Sequence, residues 1–129
     1  MIVGIGTDIV RIERIQQSLD RLGDAFARRI LTETELQLFH NSKQPAAFLA
    51  KRFAAKEAAA KALGTGIGKV SFQHLEVSND VLGAPKLTFS GYALALQQHK
   101  GIESLHISLS DEKDNAIAFV VLESRQGSV

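Results

Sequence analysis

Between Pro45 and Gly64 the chain runs without a glycine or a proline and is rich in alanine. Alanine loses no side-chain entropy in a helix, and nothing in this stretch interrupts the hydrogen-bond ladder. Pro45 suits a first helical turn and Gly64 suits a stop. The composition predicts one long helix over 46–63. Its small side chains let neighbouring elements approach closely, so the rest of the fold has to form around this rod.

The flanking sequence supplies the partners. Residues 2–6 are short, apolar and β-branched, broken by Gly4 and Gly6, and read as a buried strand ending at Thr7-Asp8. From about residue 10 the period changes: Ile12, Ile15, Leu19 and Leu22 recur at helical spacing, with Arg11, Arg14 and Arg21 on another stripe and Gly23 as a stop. A short helix is expected over 24–30. Thr32 followed by Glu35 is a capping-box pattern that starts a helical segment near 33. Strands are expected around 74–78 and 86–89, with turns at Asn79-Asp80 and Gly83-Ala84-Pro85, and a helix over 91–99. Strands over 104–110 and 116–123, joined by a polar turn, read as a hairpin, and 124–129 as a frayed end. At 129 residues, 45% of them hydrophobic, the chain can close one core, so a single domain over 1–129 is expected. The element order implies an α+β fold with an antiparallel-rich sheet packed against the long central helix.

Composition removes several classes of function. The chain has no cysteine, which excludes disulfides, thiolate zinc sites and cysteine nucleophiles. A formal net charge of +1 does not argue for nucleic acid. The aromatics within the basic stretch, Phe48 and Phe53, fit a core stripe, so no nucleic-acid partner is expected. The start lacks the basic region of a signal peptide, and the longest apolar run, 116–122, is too short for a bilayer. A cytoplasmic protein with no membrane partner is the expectation.

Five features could carry chemistry. On the long helix Glu57 and Lys61 share a face, either as an ordinary stabilising pair or as part of a site. The glycine-rich run 64–68 that follows is either a helix cap with a turn or a backbone cradle for phosphate. Asp8, at a strand end, either caps the next helix or binds a hard cation with a second carboxylate. In 105–111 the residues alternate, so that His106, Ser108 and Ser110 form a polar face, either solvated or lining a ligand. Lys43, Lys51, Arg52 and Lys56, with Arg14 and Arg21, are either a solvated face of snorkelling stems or a basic surface suited to phosphate or an acidic protein partner.

Taken together, these segments resemble the holo-acyl-carrier-protein synthase family, the small bacterial phosphopantetheinyl transferases. The match rests on Gly4-Ile-Gly-Thr-Asp8-Ile-Val-Arg-Ile-Glu-Arg-Ile15, on Arg52 to Gly68 with its Lys-Glu-Ala-x-x-Lys-Ala core, on His106-Ile-Ser-Leu-Ser-Asp111, and more weakly on Asn79 to Pro85. The resemblance implies transfer of 4′-phosphopantetheine from coenzyme A to a serine of apo acyl carrier protein, releasing adenosine 3′,5′-bisphosphate, in support of fatty acid biosynthesis. It implies that Asp8 and Glu57 bind Mg²⁺ (or Mn²⁺) and act in catalysis with Lys61 beside the pyrophosphate. Lys56, Lys61, Gly64, Thr65, Pro85, His106 and Ser108 would surround coenzyme A, and Arg14 and Arg21 would meet the acidic carrier. It further implies a homotrimer whose sites combine Asp8 and Glu57 of one subunit with the last motif of a neighbour. Ala84 departs from the pattern, since relatives often place Lys before this proline; Lys86 can supply that charge.

The roles are chemically coherent. Attack on a phosphorus of a pyrophosphate needs positioning and charge neutralisation more than covalent help. The serine needs a base, either Glu57 or a metal-bound water. No nucleophile elbow is present, which points to direct transfer. A basic docking module without chemistry, and a Mg²⁺-dependent phosphohydrolase, are the competing readings.

Overall fold

The computed structural model describes residues 1–125. In chain order its elements are β1 (Ile2–Arg11), α1 (Ile12–Leu22), α2 (Asp24–Ile30), α3 (Glu33–His40), α4 (Pro45–Leu63), β2 (Leu75–Asn79), β3 (Pro85–Phe89), α5 (Gly91–His99), β4 (Ile102–Asp111) and β5 (Asn115–Ser124). A 3₁₀ turn at Phe72–His74, not expected from the sequence, leads into β2. The alanine-rich stretch forms α4 as anticipated, with Pro45 in its first turn and Gly64 left-handed at φ 85° after its last. The Thr32–Glu35 capping box forms in full at the start of α3.

Two antiparallel sheets flank the helix. One has the order β1-β5-β4 and the other is the β2-β3 hairpin. The α+β class and the antiparallel packing against α4 agree with the sequence. The inner face of the large sheet carries Gly4, Gly6 and Val10 of β1, and Ala116, Ala118, Val120 and Leu122 of β5. Most α4 alanines are fully buried against it. Gly4 and Gly6 are required here, because a Cβ at either would collide with α4 backbone at Ala62 or Ala58.

Several local expectations need correction. β1 does not end at Asp8 but runs to Arg11, because β5 pairs with it as far as Asn115. Helix α1 accordingly starts at Ile12. Nor is β1 buried on both sides: Ile5 and Ile9 are 61% and 62% exposed, because nothing among the described residues covers the outer face. Ser124 is not frayed, since Met1 N donates to Ser124 O at 2.9 Å and Ser124 N donates to Met1 O at 2.8 Å. The rest of that expected loose end, 126–129, lies outside the described residues. No helix among the described residues is long and apolar enough to cross a membrane.

Candidate functional site

Strand periodicity decides where Asp8 points. Residues 4, 6, 8 and 10 share the inner face, and the two glycines bring β1 against α4, so Asp8 emerges beside the helix. Lys61 Nζ donates to Asp8 Oδ1 and to the Thr7 carbonyl, each at 3.1 Å. Asp8 is not a helix cap: the residue at the N-cap of α1 is Arg11. Glu57 lies one helical turn before Lys61. It and Asp8 line one cleft of about 350 Å³, together with Val10, Arg14, Phe26 and Phe53. Partial burial raises the Glu57 pKa, the Asp8 charge raises it further, and Lys61 pulls it back. The cleft therefore brings two acids together beside two cations, Arg14 in its lining and Lys61 on Asp8.

This donor set suits a small hard cation. Among the described residues no group of three or more His, Cys, Asp or Glu side chains gathers. The candidate ligands are two carboxylates in an open cleft. Mg²⁺ is commonly held by one or two carboxylates, with waters and substrate phosphates completing its shell. Mutual repulsion between Asp8 and Glu57 is what such an ion relieves.

The other expected residues fall in three places. Arg14 lines the acid cleft and, with Gln17, Ser18 and Arg21, the adjoining groove along α1; both arginines are exposed. Gly64 and Thr65 are exposed at the end of α4, near Lys61 in sequence. Pro85 and His106 line a separate cleft of about 650 Å³ with Lys86, Leu94 and Glu103, sharing no residue with the acid cleft. His106 Nε2 lies 2.9 Å from Glu123 Oε1, and that bond lowers the Glu123 pKa. Ser108 is exposed on the outer sheet face. Within one chain, the expected coenzyme A residues are thus divided between two regions.

Lys56 lies apart from the others. Expected beside coenzyme A, it is fully buried. The 100° turn per residue that separates it from Glu57 aims it at α2 and α3 instead. Its ammonium donates to Glu35 Oε1, to Ile30 O at 2.7 Å and to Phe72 O at 3.2 Å. Glu35, also buried, accepts from Thr32 N and Val77 N, each at 2.8 Å. Arg52 Nε stands 3.7 Å from Glu35 Oε2, while its guanidinium stacks 3.9 Å above the Phe48 ring. Sequence reasoning missed the tertiary role of Glu35; the Thr32–Glu35 pattern signalled only its cap. It also missed Phe26 as a wall of the acid cleft, for which the sequence offers no local signal.

Comparison with known proteins bears on this geometry. The model of the 4′-phosphopantetheinyl transferase superfamily matches residues 4–120. A holo-[acyl-carrier-protein] synthase of Vibrio cholerae is 58% identical over 126 residues, covering 97% of this chain and all of that protein. The crystal structure of holo-[acyl-carrier-protein] synthase from Neisseria meningitidis superposes with a TM-score of 0.89 at 50% identity, covering 96% of this chain and all of that one. A Bacillus anthracis holo-(acyl-carrier-protein) synthase in complex with CoA (3′,5′-ADP) gives a TM-score of 0.83 at 46% identity, covering 97% of this chain and 99% of that one.

Proposed function

The chain belongs to the 4′-phosphopantetheinyl transferase superfamily, and we propose that it is a holo-acyl-carrier-protein synthase. It transfers 4′-phosphopantetheine from coenzyme A to a serine of apo acyl carrier protein. The observation that carries the reading is the single cleft that Asp8 and Glu57 line, with Lys61 bound to Asp8.

In the reaction a bond forms between the serine Oγ and a pyrophosphate phosphorus, and the bond from that phosphorus to the departing adenosine 3′,5′-bisphosphate breaks. The serine proton must leave, and Glu57, whose pKa is raised by burial first and by the Asp8 charge second, is the proton acceptor we assign. Negative charge grows on the leaving oxygen. The Lys61 ammonium has three donors and spends two on Asp8 and Thr7, which leaves one N–H for a phosphate oxygen. Asp8 and Glu57 would hold Mg²⁺, which when bound neutralises pyrophosphate charge and fixes its orientation. Exposed Arg14 and Arg21 suit an acidic carrier, drawing it to the groove beside the cleft.

Two observations support a homo-oligomer, with three copies as the family resemblance implies. Ile5, Ile9, Ile117 and Phe119 form an exposed apolar face on the outer sheet, which is uncommon in a monomer. Pro85 and His106 stand apart from the acid cleft within one chain, so a neighbour could bring its own copies to it. The setting we propose is the cytoplasm, in the supply of holo carrier for fatty acid synthesis.

The test is to incubate the protein with coenzyme A, Mg²⁺ and an apo carrier, and to weigh the carrier by mass spectrometry. A gain of one phosphopantetheine is expected. No gain, or full activity in Asp8→Ala or Glu57→Ala, would defeat the assignment. Release of adenosine 3′,5′-bisphosphate without carrier modification would favour a phosphohydrolase.

A further inference from the structure

Helix α2 has only seven residues, too few to persist on its own tendency to coil. Its stability has to come from tertiary anchors, and its last carbonyls need donors. Those donors come from two side chains. Gln73 Nε2 donates to Arg28 O at 2.9 Å, to Leu31 O at 2.8 Å and, at the limit of range, to Arg29 O at 3.5 Å. Lys56 Nζ takes the remaining carbonyl, Ile30 O, at 2.7 Å. The same ammonium holds Phe72 O of the 3₁₀ turn and Glu35 of α3. Lys56 therefore ties α2, α3 and the 3₁₀ turn to α4 one residue before Glu57. Its three N–H donors are all engaged and its side chain is fully buried, so none remains for a phosphate.

The consequence reaches the acid cleft through Phe26. This residue sits on α2 and lines the same cleft as Phe53 and Glu57 of α4. The shape of the cleft on the Phe26 side depends on where α2 is pinned. We propose that Lys56 and Gln73 are positioning residues for phosphopantetheine transfer: by clamping the end of α2 they fix the Phe26 wall of the Asp8–Glu57 cleft, and so set turnover rather than affinity for coenzyme A. The proposal rests on the function argued above and departs from the placement of Lys56 at the ligand.

The experiment compares the full chain with Lys56→Met and Gln73→Ala. Coenzyme A affinity is measured by calorimetry with Mg²⁺, apart from turnover, and kcat and KM for the carrier are measured by mass spectrometry. Lys56→Met is expected to lower kcat by about tenfold or more, the scale of a sub-ångström displacement of reacting groups. Gln73→Ala is expected to lower it by a smaller factor. Neither should change coenzyme A affinity. Weakened coenzyme A binding in Lys56→Met with kcat retained at saturation would make Lys56 a ligand contact and overturn the proposal. Unchanged kcat in both variants would also overturn it. Should Lys56→Met fail to fold, Gln73→Ala decides alone, because Gln73 is exposed and its loss leaves the core intact. Failure of the functional reading is a separate result, visible as a wild-type protein that does not transfer at all.

Discussion

Gly6 lies so close to α4 that a methyl group on it would stand 2.0 Å from the Ala58 carbonyl oxygen and 2.8 Å from the Ala62 nitrogen. Neither atom can yield, since both belong to the helix backbone. Gly6→Ala must push β1 away from α4 and carry Asp8 with it. Overpacking typically costs about 1–3 kcal/mol, and a clash with backbone belongs at the upper end. A lower urea midpoint and activity reduced by about a hundredfold are expected. Gly68→Ala, with nothing within 4 Å of its Cβ, serves as the stability control. Equal midpoints for the two variants would contradict the close approach.

Glu57 makes the site a burden on the fold. Its pKa is raised by burial first and by Asp8 second. A carboxyl with a folded pKa above its unfolded value adds stability at low pH and loses it as pH rises through the folded value. At neutral pH without divalent ions the ionised group therefore destabilises the protein. Glu57→Gln should melt higher than wild type in chelator at pH 7, with the gain gone below about pH 4, where the carboxyl is protonated in both states. Thermal melts across that range check the sign. A variant that melts lower at pH 7 would mean that Glu57 makes favourable contacts instead.

Much of this was legible in the chain because it depends on local chemistry. An alanine run bounded by proline and glycine forms its helix in almost any context, and Thr32 and Glu35 form their cap within one turn. Glu57 and Lys61 stood out through their helical spacing and Asp8 through its place after an apolar strand, each with an ordinary structural reading beside it, and the family resemblance joined the three into one site. What stayed hidden depends on contacts remote in sequence. Lys56 adjoins Glu57, yet its neighbours come from residues 30, 35 and 72. Glu35 reads as a cap and is also the buried counter-ion. The exposure of Ile5 and Ile9 depends on what covers a sheet face, which no strand pattern records.

That uncovered face supports a prediction about assembly. Phe119 is 45% exposed, and its paired neighbours are Thr7 on β1 and Ser108 on β4. If copies of the chain meet across this face, Phe119→Glu places a carboxylate in the interface without disturbing the core behind it. Burying such a charge unpaired costs about several kcal/mol, enough to dissociate most assemblies at micromolar concentration. Sedimentation should show an oligomer for wild type and a monomer for the variant, with transfer activity lost. A wild type that sediments as a monomer would remove the face from the argument.

Lys61 separates catalysis from stability most cleanly. Its side chain is 52% exposed, and its ion pair with Asp8 sits at the cleft edge. Exposed pairs contribute about 0–1 kcal/mol, so Lys61→Met should leave the urea midpoint nearly unchanged. Turnover is another matter. An ammonium aimed at a developing charge acts in the transition state, and removing such a donor typically lowers kcat by about 10²–10³-fold. Coenzyme A affinity should fall less than kcat, because the leaving oxygen gains its charge only as the bond breaks. Lys61→Arg should recover part of the rate, since it keeps the charge but not the compact geometry that reaches Asp8 Oδ1 and Thr7 O together. Equal losses in affinity and turnover would make Lys61 a ground-state contact, and the departing phosphate would need another partner.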